Sequence, residues 1–271
     1  MQKLGTCLAV LAIASATWGD AAKSHPSGYS EAAPAGGSDA VPAHGPSPEP
    51  VPATTRQLIL VRSASWKAVT GTLQRFERVP GGAWQAVGAE ASVNLGRKGM
   101  AWGRGLQAAE EPGPVKKEGD QRSPAGAFAL GPAFGYREAL PDGAKQYPYV
   151  HVRQGISCIE DSKSKYYNQV IDPSSITRAD WSSRDEMFRR DGLFRWGVVI
   201  EHNAKDTVRG AGSCVFLHIW RGLGKGTAGC TAMPGETIEE TIRWLDASAR
   251  PVLVQLPESE YSRLRSDWAL P

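Results

Sequence analysis

Apolar and polar residues alternate with a period of two along much of the chain, the signature of strands buried on one face. Residues 57–62 (Gln-Leu-Ile-Leu-Val-Arg) are the first such run. Residues 71–79 and 84–95 alternate on either side of Pro80-Gly81-Gly82, which predicts a hairpin. Residues 147–152, carrying His151, and 195–203, ending in His202-Asn203, are further strand candidates. Residues 215–220 form a β-branched and aromatic run with His218 near its end, expected to lie beside 195–203. Residues 251–256 supply a last strand. Helical periodicity is confined to the stretch after Met233-Pro234, where Ile238, Ile242 and Leu245 share one face and Thr237 and Glu240 have capping-box spacing. The charged stretch 178–191 is expected to be partly helical. Nothing repeats internally, and the fold class predicted is mainly β with a few helices.

The ends of the chain differ from this middle. Lys3, an apolar run over 8–16 and the small residues Ala14-Ser15-Ala16 make 1–22 a signal peptide, too short to span a bilayer. The expectation is an exported protein of the periplasm or cell envelope without stable membrane insertion; a retained anchor is the alternative. Residues 23–55 are rich in Pro, Ala, Gly and Ser, including Pro26, Pro34, Pro42, Pro46 and Pro48, with almost no large apolar groups. Such a stretch cannot bury enough surface to offset the entropy of ordering and is read as a disordered linker. The folded domain is then 56–257, and 258–271 is expected to be a surface appendage.

Composition narrows the chemistry. A formal charge of +3 without a basic run gives no footprint for nucleic acid. No CxxC or HxxxH spacing occurs, so no zinc site is expected, and no metal or cofactor is otherwise called for. The glycines of 96–106 lack a following GK[ST] and predict a structured loop rather than a phosphate cradle.

The pairing that does suggest chemistry is His218 with Cys230. Gly222, Gly224 and Gly226 allow turns that could swing the cysteine back to the histidine strand, and Gly229 directly precedes it. A thiol beside an imidazole is the minimum for a cysteine nucleophile: the imidazole takes the proton and the sulfur attacks. A buried structural cysteine and a satisfied histidine are the bland alternative.

This strand-histidine, glycine-rich loop and Thr227-Ala228-Gly229-Cys230 arrangement resembles the signature of the L,D-transpeptidase (YkuD or ErfK/YbiS) catalytic domain family. Ala228 stands where that family usually has histidine, and Thr231-Ala232-Met233 lacks its usual arginine. A second stretch, Ser123-Pro124-Ala125-Gly126-Ala127-Phe128, is similar to the family's Thr/Ser-Pro-x-Gly-x-Phe turn leading into a strand. The resemblance covers roughly 57–257 and implies a mixed β-sandwich with the cysteine at one end.

It further implies a peptidoglycan transpeptidase acting on stem peptides. Cys230 would attack a tetrapeptide stem and release D-alanine, and an amine acceptor would resolve the thioester, with His218 as base. Backbone N–H groups around Gly229, Cys230 and Thr231 would form the oxyanion hole. Thr227, Arg221 and His202 are candidate substrate contacts, as are Lys225 and Arg209; His202 is equally readable as structural, and His151 is read as structural. Three cysteines remain after signal removal, and Cys158–Cys214 is the pairing that leaves Cys230 free; two reduced, buried thiols are the alternative. The oligomeric state is not legible. Rival readings are an L,D-carboxypeptidase, another exported cysteine peptidase or amidase, and a non-catalytic wall-binding module.

Overall fold

The structure is a computed structural model that describes residues 49–107 and 111–271. The expected signal peptide and most of the expected linker lie outside the described residues. In chain order the strands are β1 (Gln57–Ser63), β2 (Thr70–Glu77), β3 (Gln85–Asn94), β4 (Met100–Trp102), β5 (Ser123–Gly135), β6 (Tyr149–His151) and β7 (Ser157–Ile159). They continue with β8 (Val170–Ile171), β9 (Arg184–Glu186), β10 (Trp196–Ile200), β11 (Phe216–Ile219), β12 (Thr231–Met233) and β13 (Val252–Pro257). Two α-helices are present among the described residues, α1 (Gly235–Trp244) and α2 (Glu258–Leu264).

The protein is mainly β, with a mixed sheet whose strands run in the order β10-β11-β12-β3-β2-β1-β13-β5, and β5 pairs again with β10. Eight strands therefore close into a ring. The closure depends on the length of β5: residues 126–129 pair with β13, whereas 130–135 pair with β10. Closing the sheet leaves these strands no free edge to pair with another chain. Two contacts in the ring are parallel, β1 with β13 and β11 with β12. Strands β7, β8 and β9 make a separate three-stranded sheet.

The strong apolar run of β1 follows from burial on both faces, with Leu58, Ile59, Leu60 and Val61 at most 3% exposed. One side of the ring is covered by α1, which packs on β10 and β11, and another by α2, which packs on β13 and β1. In α1 the apolar face is Ile238 and Ile242, both fully buried. Each such side chain contributes roughly 1.5–3 kcal/mol on burial. A smaller core of Phe134, Cys158, Met187, Phe194, Cys214 and Phe216 lies between the ring and the small sheet.

Several expectations are corrected. Residues 178–191 hold strand β9 and no helix; Asp185 pairs with Cys158 on β7, so sheet pairing outweighs the local charge pattern. The capping box does not form, because α1 begins at Gly235 behind Pro234 and Thr237 is already inside the helix, its carbonyl accepting from the Thr241 hydroxyl. Ser123 to Phe128 lies within β5 rather than in a turn before it. The linker boundary moves inward, since Val51 is fully buried in the main core and Thr55 donates its N–H to Pro52. The C-terminal segment is no loose appendage: Tyr261, Leu264, Trp268 and Leu270 all join that core.

Candidate active site

His218 sits on a strand whose four residues are all buried. Its strand, β11, runs between β10 and β12, with Gly197 opposite it on one side and Ala232 on the other. Small neighbours are needed here: a Cβ on Gly197 would come within 2.2 Å of the Phe134 ring. Phe194 packs edge-on against the imidazole at 5.0 Å. The His218 Nδ1 lies 2.7 Å from the Ile219 carbonyl oxygen. A carbonyl can only accept, so Nδ1 carries the proton and Nε2 keeps a lone pair. With 7% of its surface exposed, the imidazole has its pKa pushed down to about 4, chiefly by desolvation.

The glycine-bearing loop after β11 is tied down by a side chain the sequence did not single out. Asn94, fully buried at the end of β3, donates to the carbonyls of Gly222 (2.8 Å) and Lys225 (3.1 Å) and accepts from the Gly224 N–H (2.9 Å). Past this loop, Thr227 joins the ring's rim through its N–H to Leu95 and its carbonyl from Arg97. Its hydroxyl accepts from the Gly229 N–H (3.1 Å) and donates to the Cys230 carbonyl (2.6 Å). The Ser123 hydroxyl donates to the same carbonyl from β5, at 3.0 Å.

Cys230 is half-buried, the one free cysteine among the described residues, while Cys158 and Cys214 are joined in a disulfide. Its thiol faces the Cys214 carbonyl at 3.8 Å. Burial pushes the thiol pKa up to about 12, so the resting pair is a neutral thiol and a neutral imidazole. Both residues line one cavity of about 260 Å³, together with Thr227, Ala228, Phe194, Asp185 and Ala232.

Four cations share that cavity wall: Arg97, Arg189, Arg221 and Lys225. Arg189 bridges Asp185 (3.6 Å) and Asp191 (2.6 Å), and Arg221 pairs with Asp191 at 3.0 Å. The Arg189 hydrogen bonds are the main force holding Asp191 well below the usual carboxylate range; burial raises Asp185. Arg97 and Lys225 have no carboxylate partner among the described residues.

The structure separates the remaining sequence candidates. Thr227 and Arg221 reach the cavity, Arg221 already paired with an acid. Gly229 and Thr231 do not line it: the Gly229 N–H is engaged by Thr227, and the Thr231 hydroxyl donates inward to Gln255 at 2.8 Å. His202 is elsewhere and fully satisfied. Its Nδ1 accepts from the Arg104 N–H at 3.1 Å and its Nε2 donates to the Ala211 carbonyl at 3.0 Å, which makes it a structural residue. Arg209 donates to the Ser162 carbonyl, away from the cavity. No group of three or more metal-binding side chains occurs among the described residues.

Asn94 and Asp185 escaped sequence reasoning, and Ser123 was read only as part of a turn, because each reaches the site from a distant part of the chain, Asn94 and Ser123 from ring strands and Asp185 from the small sheet. Compared with known proteins, the chain matches no family model and no curated protein sequence.

Proposed function

We propose that the chain is an exported cysteine acyltransferase of the L,D-transpeptidase type, and that the closed ring is its version of that family's mixed β-sandwich. The observation that carries the proposal is the cavity shared by His218 and Cys230, with the other two described cysteines bridged to each other. The disulfide also supports export, since such bonds persist in oxidising compartments. Among the described residues no helix is long and apolar enough to cross a membrane.

In this reading Cys230 attacks the carbonyl that precedes the terminal D-alanine of a tetrapeptide stem. His218 Nε2 takes the thiol proton as the bond forms, because burial disfavours a free thiolate beforehand. The resulting imidazolium is a strong acid in this dry setting, suited to passing the proton to the leaving amine of D-alanine. That leaves a thioester on Cys230 and a neutral imidazole ready to deprotonate the acceptor amine. Attack by that amine forms the new amide and returns the thiol. Ala228 and Cys230 line the cavity, so their amides replace Gly229 and Thr231 as candidates for the developing oxyanion. Lys225 stays a candidate for a stem carboxylate and Arg97 joins it, neither having a carboxylate partner among the described residues, in place of Arg221 and Arg209.

The test is intact mass of the wild type and Cys230→Ala after mixing with a muropeptide tetrapeptide. The expected result is an acyl adduct on the wild type alone, with D-alanine released. A cross-linked product then marks transfer, and a shortened stem alone marks the carboxypeptidase alternative. Folded protein with a free thiol that forms no adduct and releases no D-alanine would overturn the reading.

A further inference from the structure

We infer that Ser123 and Thr227 are positioning residues for the nucleophile, their hydroxyls converging on the Cys230 carbonyl oxygen to fix the turn that presents the thiol. The inference rests on Cys230 being that nucleophile. A carbonyl oxygen has two lone pairs, and here each meets one hydroxyl, Ser123 at 3.0 Å and Thr227 at 2.6 Å.

Each hydroxyl is itself oriented from behind. Ser123 Oγ accepts from the Gly96 N–H at 2.9 Å, and Thr227 Oγ1 from the Gly229 N–H at 3.1 Å. With an amide proton occupying one side of each oxygen, the hydroxyl proton is left to point at Cys230. Such relays polarise each bond along the chain, which strengthens the last one.

The two arms differ in reach. Thr227 is three residues from Cys230 and shapes the turn itself. Ser123 is 107 residues away, fully buried, and anchored in β5 with its N–H on the Gly99 carbonyl at 2.9 Å. It ties the turn to the ring. Strand β12 begins only at Thr231, so these two hydroxyls are what hold the Cys230 carbonyl. Fixing the peptide plane between Cys230 and Thr231 fixes the direction in which the thiol leaves the backbone. A displacement of about 1 Å at such a group can cost ~10²-fold in rate.

The experiment reads the thiol directly. Full-length wild type, Ser123→Ala, Thr227→Ala and Thr227→Ser are treated with iodoacetamide across pH, alkylation is followed on the Cys230 peptide by mass, and melting is recorded alongside. If the hydroxyls hold the thiol in its half-buried seat against the Cys214 carbonyl, both alanine variants lose that seat. Their alkylation at pH 7 rises ~10-fold or more, and its pH midpoint falls toward the ordinary thiol value of about 8.5. Thr227→Ser, which keeps the hydroxyl, follows the wild type. A merely structural role would lower the melting temperature and leave the pH profile in place. Folded alanine variants with wild-type rate and midpoint overturn the inference, and should Ser123→Ala fail to fold, the Thr227 pair decides it. A wild type that releases no D-alanine while the variants shift as expected refutes the transpeptidase reading alone.

Discussion

The Cys230 thiol faces the carbonyl of Cys214 at 3.8 Å, and the sulfur of Cys214 is bonded to Cys158. The free thiol thus rests against the backbone of a residue whose side chain clamps the small sheet to the ring. On that sheet Cys158 pairs with Asp185, which lines the cavity. The disulfide thus braces, from outside the cavity, the wall that carries Asp185 and the candidate nucleophile.

Opening the Cys158–Cys214 bond should loosen that wall. The bridge spans 56 residues, and closing a loop of this length stabilises a folded chain by about 4 kcal/mol in the chain-entropy account. Urea midpoints measured with and without reductant, and for Cys158→Ser, are expected to drop together. Equal midpoints would show that the clamp carries no stability.

Asn94→Ala should release the loop that bridges His218 and Cys230. Three hydrogen bonds from one fully buried amide are lost, leaving the Gly224 N–H and two carbonyls without their partner. An expected cost is ~1–3 kcal/mol in stability for each group left unpaired out of contact with water. Hydrogen exchange on 222–226 should rise more than on β1. Uniform exchange changes would contradict a local role.

His218→Ala should slow acylation of Cys230 by ~10²–10⁴-fold, the usual span for a positioned general base. A carbapenem-type β-lactam serves as the acyl donor and mass as the readout. In the wild type the base must be neutral, so acylation should fall as pH drops through about 4 and hold level above pH 6. A profile still rising steeply between pH 7 and 9 would instead mark a thiolate formed before attack.

Two buried histidines make the fold sensitive to acid. His202 and His218 both have pKa values pushed down to about 4, chiefly by desolvation, against about 6.5 in the unfolded chain. Their contribution is complete above 6.5 and is lost as pH falls from there toward 4, because the unfolded chain binds the protons first. Each can add a slope of up to about 1.4 kcal/mol per pH unit. Glu160, raised to about 7 by burial, acts with the opposite sign. The comparison to make is between denaturation of the wild type and of His202→Gln at pH 7, 6 and 5. The variant should lose stability less steeply, and parallel curves would contradict the buried neutral state of His202.

Local pattern carried much of the fold. The alternation in 71–79 and 84–95 marks the β2–β3 hairpin, and the apolar run before Trp220 marks β11 with His218 inside it. What escaped depends on contacts between remote segments. Charge favoured a helix over 178–191, yet pairing with Cys158 drew Asp185 into a strand. The sparse apolar residues after Pro257 looked like a tail, but Tyr261, Leu264 and Trp268 are spaced to cover one side of β1 and β13. At the site, Cys230 and His218 were legible from residue type and spacing. The oxyanion assignment to Gly229 and Thr231 was not, because the Thr227 hydroxyl takes the Gly229 amide and neither residue lines the cavity.

The parallel pairing of β1 with β13 sets Leu58 opposite Val252, joining the two ends of the folded body. A chain threaded out from its N-terminus exposes β1 long before its partner exists. Contacts so distant in sequence make closure a late and slow event. Until then β1 and β5 each lack one neighbour, so both present unpaired backbone of the kind that recruits strands from other molecules. Ser123 and Cys230 reach their final places only when the ring is nearly complete, which delays assembly of a competent thiol until the chain has fully emerged. Removing residues 252–257 should therefore yield protein that aggregates, not a smaller working domain.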